Sequence, residues 1–183
     1  MKRLLGLLVG LVAVAGIIGL AYGGSPDDSI DIRVTLASDI QVTITEADYI
    51  FGTLDGGETS VSGTGATVTN TSSSNREDYE LNLTNPGVWT AITTGSPGDD
   101  EYMLMAQFSD STPGTWTSGN HALSTSAIDC SLDKFGNTVY GESGLDVPLS
   151  APTRYLWFRI TMPSSSAEVT ERTIPVTVTA SIG

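Results

Sequence analysis

The sequence predicts an all-β fold, a two-sheet antiparallel sandwich of jelly-roll or Ig-like kind with about eight to ten strands. Three observations predict it. Apolar residues recur with a period of two rather than 3.6. No amphipathic stretch runs longer than two helical turns. Turn residues such as Asp55-Gly56-Gly57, Asn85-Pro86-Gly87 and Ser96-Pro97-Gly98 break the chain at short, regular intervals.

The alternation is strictest from Ile30 to Ile44. Ile30, Ile32, Val34, Leu36, Ile40, Val42 and Ile44 share one face, and Asp31, Arg33, Thr35, Asp39, Gln41 and Thr43 share the other. Fifteen extended residues would span about 50 Å, well beyond a usual strand of about 17–20 Å. The chain therefore either bends near Ala37-Ser38-Asp39 or sends part of this strand beyond its own domain.

Strands are expected next at Ala47–Leu54, Ala66–Thr71, Asp78–Thr84 with Tyr79, Leu81 and Leu83 buried, and Trp89–Thr93. Glu101–Ser109 begins apolar on both faces and reads as a central strand. Residues 110–149 are turn-rich, with room for two or three short strands and a long loop. Arg154–Met162 is the strongest central strand, with Leu156, Phe158, Ile160 and Met162 on its core face. The last strand, Arg172–Ile182, points Ile174, Val176, Val178, Ala180 and Ile182 inward, and Pro175 on its opposite face marks an edge.

The N-terminal composition is that of an export signal. Met1-Lys2-Arg3 is a short basic region, Leu4 to Leu20 is apolar and uncharged, and Ala21-Tyr22-Gly23 supplies small residues for cleavage. Residues 1–23 are thus expected to be a signal peptide, 24–29 a linker and 30–183 the β-domain, with an uncleaved membrane anchor as the alternative. A mature chain of about 160 residues is one domain with a real core. The expected location is outside the cytoplasm, secreted or on the cell surface.

Charge narrows the partners. The formal net charge is −13, and removal of Lys2 and Arg3 makes it more negative. That argues against nucleic acid and anionic lipid as partners. Cys130 is the one cysteine, so no internal disulfide exists and a buried thiol is expected.

No catalytic constellation stands out. His121 is the single histidine, in a loop-like stretch without a nucleophile elbow, so neither a multi-histidine metal site nor a serine triad is indicated. A secreted hydrolase acting through paired carboxylates is a remote alternative. No organic cofactor is indicated. Calcium is the candidate metal, with Asp99, Asp100 and Glu101 after a Pro-Gly turn as oxygen ligands, against the plainer reading of solvated turn acids.

Tyr155, Trp157 and Arg159 form the second face of their strand, an aromatic-plus-arginine row that would suit a sugar ring or a protein partner unless residues 110–149 cover it. Asn70-Thr71-Ser72 and Asn82-Leu83-Thr84 are glycosylation sequons. Ile30, Ile32, Val34 and Leu36 are the candidates for strand exchange with a neighbouring copy. A strand that leaves its own sheet and completes another builds an open filament when repeated.

The order of these features resembles known surface proteins. The alternating strand, Phe51-Gly52 with Gly56-Gly57, Val68-Thr69-Asn70, Tyr79-Glu80-Leu81 and Leu156-Trp157-Phe158-Arg159 are similar to secreted bacterial or archaeal surface β-sandwich proteins. More distantly they resemble jelly-roll matrix-fibre subunits of the TasA/camelysin type and spore-coat-U-like fimbrial subunits. The fimbrial subunits usually pair cysteines, which this chain with Cys130 alone does not. The resemblance implies an extracellular, non-enzymatic subunit able to polymerise. The sequence reading is therefore a structural surface subunit, with a carbohydrate- or protein-binding module as the alternative.

Overall fold

Two β-sheets share one core in the computed structural model, which describes residue 33 and residues 39–46, 48–139 and 142–183. The chain divides into residues 1–36 and residues 37–183, and the architecture below is that of the second unit. The expected signal peptide, the linker and Ile30, Ile32, Val34 and Leu36 lie outside the described residues. Among the described residues no helix is long and apolar enough to cross a membrane.

The nine strands described are β1 (Val42–Ile44), β2 (Thr59–Val61), β3 (Ala66–Asn70), β4 (Glu77–Leu83), β5 (Thr90–Ala91), β6 (Glu101–Phe108), β7 (Ile128–Asp129), β8 (Thr153–Thr161) and β9 (Val176–Ile182). One helical turn, α1 (Ser118–His121), precedes β7. The larger sheet runs β1-β3-β8-β6-β5, with β2 also paired to β8, and the smaller runs β7-β4-β9. All pairings are antiparallel except the two-residue contact of β5 with β6.

β8 lies at the centre of the larger sheet because both of its edges are taken. β6 pairs along one side from Leu156 to Thr161. On the other side β3 covers Thr153–Leu156 and β2 covers Arg159–Thr161. Between β2 and β3 the chain must pass close to β8. A Cβ on Gly65 would sit 2.8 Å from Trp157 Nε1 and 2.9 Å from Tyr155 Cβ, so only glycine fits.

The core lies between the sheets. Val68 from β3, Tyr102, Leu104, Ala106 and Phe108 from β6, and Leu156 and Ile160 from β8 meet Tyr79, Leu81 and Leu83 from β4. Every second residue of β4 is buried, as its alternation requires. β6 is buried on both faces. Met103 and Met105 point away from the main core into a second, smaller cluster with Ala122, Ile92 and Trp116.

Several expectations are corrected. Residues 48–54 are not a strand. Tyr49 and Phe51 meet edge to face, with centroids 4.8 Å apart, and Phe51 and Leu54 pack on the core while Tyr49 stays half exposed. Aromatic anchors hold this segment instead of a hydrogen-bonded ladder. Of the long alternating run, only Val42–Ile44 is a strand among the described residues, and Ile44 is exposed, because β1 sits at the edge of the sheet. Ile182 is likewise exposed, since β9 is an edge strand that outruns the core. Residues 110–149 contribute β7 and α1 to the regular structure.

Candidate functional site

The outer face of the larger sheet carries a cleft of about 470 Å³, a size suited to a small ligand. Met103 and Met105 of β6 and Arg159 and Thr161 of β8 form its floor, and Trp116 and Ser96 belong to its lining. The pleat explains the floor: residues of β6 and β8 that do not enter the core must appear on this face. None of the lining residues is acidic, although the chain holds 21 Asp and Glu.

Arg159 differs from the other arginines of the two sheets and their loops. Arg76 pairs with Asp146 and Arg172 with Glu168. Arg154 donates to the carbonyls of Ser143, Ala151 and Thr153. The Arg159 side chain meets neither a carboxylate nor a carbonyl acceptor among the described residues. Trp116 is held beside it by a hydrogen bond from Nε1 to the Pro113 carbonyl (3.2 Å) and by edge contact with His121.

The expected row of Tyr155, Trp157 and Arg159 is split, which corrects that reading. Tyr155 is 40% exposed, whereas Trp157 is 8% exposed and donates its Nε1 hydrogen to the Ser109 carbonyl at 2.8 Å. Gly65 and Ser109 close over the indole. Only Arg159 of the three lines the cleft. The aromatic of the cleft is Trp116, which sequence reasoning missed because it lies in a turn-rich stretch without strand periodicity.

The calcium expectation is also corrected. Asp99 accepts from the hydroxyls of Ser164 and Ser165, Asp100 from Ser166, and Glu101 from the Gly98 N–H. The three carboxylates thus serve separate partners, and among the described residues no group of three or more His, Cys, Asp or Glu is gathered to hold a metal ion. Three consecutive serines supply donors that a hard cation would otherwise replace.

Asn70 is corrected as a glycosylation site. It is 3% exposed, and its Nδ2 donates to the carbonyls of Asn75 and Val147, each at 3.0 Å. No room or free N–H remains for a glycan on the folded chain. Asn82 lies on the half-exposed face of β4. His121 is buried, accepts the Thr117 N–H at Nδ1, and has its pKa pushed down by burial. The Cys130 thiol is buried in the core and shifted up, first by burial and then by nearby carboxylates. Neither group is poised as a nucleophile or base.

One acidic pair emerged only in three dimensions. Burial, together with the neighbouring Asp110 carboxyl, pushes Glu142 up to about 7, and Arg154 pulls it the other way. A carboxyl whose folded pKa exceeds its unfolded value penalises the fold as it ionises. Its cost is absent below about pH 4.5, grows as pH rises to about 7, and is constant above that. Glu142→Gln is therefore expected to raise stability at pH 8 by on the order of 1 kcal/mol, discounted for solvent screening, and to change nothing at pH 4. Urea melts of both proteins across this range check it, and an equal effect at both pH values would refute the assignment.

No protein-family model matches the sequence, and no curated protein matches it either.

Proposed function

We propose that this chain is an exported, non-enzymatic structural subunit of a cell surface or extracellular matrix, and that it assembles with copies of itself by strand addition. In this reading the two sheets are a sandwich of the jelly-roll or Ig-like kind.

The observation that supports it is the outer edge of β9. Thr84 N–H donates to the Pro175 carbonyl (2.9 Å) and Gly183 N–H to the Arg76 carbonyl (3.0 Å). Given the register Glu80↔Thr179, Thr177, Thr179 and Ser181 direct their backbone groups at β4. The N–H and C=O groups of Val176, Val178, Ala180 and Ile182 point the other way. No described strand pairs with that side.

Edges of this kind are normally short, charged or interrupted by proline. β9 is seven residues long, reads Val-Thr-Val-Thr-Ala-Ser-Ile, and carries no charge and no proline. The opposite edge of the same sheet is treated differently. β4 is met there by β7 and by the carbonyls of Gly144, Val147 and Ser124. A long uncharged edge that no described strand covers, beside a guarded one, is the property of an acceptor. The alternating residues Ile30, Ile32, Val34 and Leu36 are the proposed donor, since strand addition reads alternate side chains.

The mature chain from Gly24 is expected to form oligomers or filaments in light scattering and negative-stain microscopy. Ala180→Pro removes an outward N–H without touching the β4 ladder, and Thr179→Lys adds an edge charge. Both should shift the chain to monomer while the far-UV spectrum is retained, and removal of residues 24–37 should do the same. A wild-type monomer at high concentration, or oligomers indifferent to both β9 substitutions, would sink the proposal. Oligomers lost on β9 substitution but kept on truncation would overturn the donor alone.

A further inference from the structure

We infer that the cleft on the outer face of the larger sheet binds a small acidic saccharide, with Arg159 taking the carboxylate and Trp116 stacking on the sugar ring. This is independent of assembly at β9, which uses the other sheet.

Three features of the cleft carry the inference. The first is the arginine. A guanidinium that meets neither a carboxylate nor a carbonyl among the described residues, in a chain of net charge −13, presents an unused fork matched to a carboxylate. The second is the absence of acidic residues from the lining. Acidic residues outnumber basic ones 21 to 8 in the whole chain, so a lining with an arginine and no acid has the opposite sign to the chain as a whole. The third is the combination of surfaces. Half-buried Trp116 offers apolar contact above the buried Met103 and Met105, and Ser96, Ser118, Thr59 and Thr161 also line the cleft, the two threonine hydroxyls bonded to each other at 2.9 Å. Sugars present that same mixture, an apolar C–H face bordered by hydroxyls.

Volume and charge set the size of the ligand. About 470 Å³ holds one or two sugar rings, at the lower end of small-molecule sites. The strongly negative field of the protein opposes a polyanion at long range, whereas one carboxylate is neutralised locally by Arg159. A monoanionic uronate-type sugar meets both conditions, and a highly sulfated polysaccharide does not.

The test uses the mature chain with glucuronate, glucose and acetate as probes, followed by calorimetry and tryptophan fluorescence. Glucuronate is expected to bind at least tenfold more tightly than either glucose or acetate. Arg159→Gln should abolish the preference for glucuronate over glucose, and Arg159→Lys should lose several-fold because the planar fork is gone. Trp116→Ala should weaken glucuronate and glucose alike, and Trp116→Phe should retain most of the binding if the alanine variant unfolds. Equal binding of glucuronate and glucose overturns the role of Arg159. Acetate binding as tightly as glucuronate overturns the saccharide, and no binding of any probe at millimolar concentration overturns the site.

Discussion

Phe108→Ala is expected to destabilise the fold by about 3–5 kcal/mol, the range for emptying a fully buried aromatic site. Phe108 is 0% exposed and lies in the core between the sheets, with its ring centroid 6.2 Å from that of Tyr79. The surroundings have little freedom to collapse into the space. Phe108 is held at its backbone by a 2.7 Å hydrogen bond from its N–H to the Phe135 carbonyl. Gly144 already lies so close that a Cβ there would be 2.9 Å from Phe108 Cε2. The cavity term therefore adds almost in full to the lost transfer free energy. A domain of this kind has a total stability of about 5–15 kcal/mol, so the variant should be partly unfolded at 37 °C. Urea titration should show a lower midpoint at an unchanged slope. A loss below about 1 kcal/mol would mean that Phe108 is not packed as described.

Asn70→Ala should cost about 2–4 kcal/mol for a different reason. Asn70 ends β3, where the chain leaves the larger sheet for β4 in the smaller one. Its amide donates to the Asn75 and Val147 carbonyls, and its Oδ1 accepts the Ser72 N–H at 2.9 Å. Alanine leaves the Asn75 carbonyl and the Ser72 N–H without this partner and the Val147 carbonyl with the Glu77 N–H alone, and an unmet buried polar group costs more than the bond it once made contributed. Asn70→Asp is the sharper comparison. It keeps the shape but presents oxygen to two carbonyl oxygens, so it should be at least as destabilising at neutral pH and partly recover as the acid is protonated. Denaturation of both variants at pH 7 and pH 4 checks this. If Asn70→Asp is no worse at pH 7 than at pH 4, the orientation of the amide is wrong.

The same corner shows where sequence reasoning stops. Asn70-Thr71-Ser72 satisfies the sequon pattern as Asn82-Leu83-Thr84 does, and alternation with Tyr79, Leu81 and Leu83 places only Asn82 on a wet face. The difference lies in Val147, which is 77 residues away and supplies an acceptor. Glu142 and Asp110 are a second case. Their separation in the chain hides the burial of Glu142 and its contact with Asp110, which together move its pKa into the neutral range.

Local pattern sufficed wherever a strand is buried by its own alternation. β4, β6 and β8 were legible to within a residue or two at their ends, because period two with Tyr79, Leu81 and Leu83, or apolar residues on both faces of Glu101–Phe108, admits one placement. The all-β class and the edge position marked by Pro175 followed in the same way. Residues 48–54 were misread because Tyr49 and Phe51 have strand composition, while the ladder partner that makes a strand is a non-local matter.

The binding face depended most on tertiary structure. Period two correctly put Tyr155, Trp157 and Arg159 on one side of β8, but Ser109 and Gly65 bury the indole and leave Arg159 to a cleft whose aromatic comes from Trp116. A strand's alternation determines which side chains share a face. What covers that face is decided by loops whose placement comes from long-range packing, and those loops carry no periodic signal of their own.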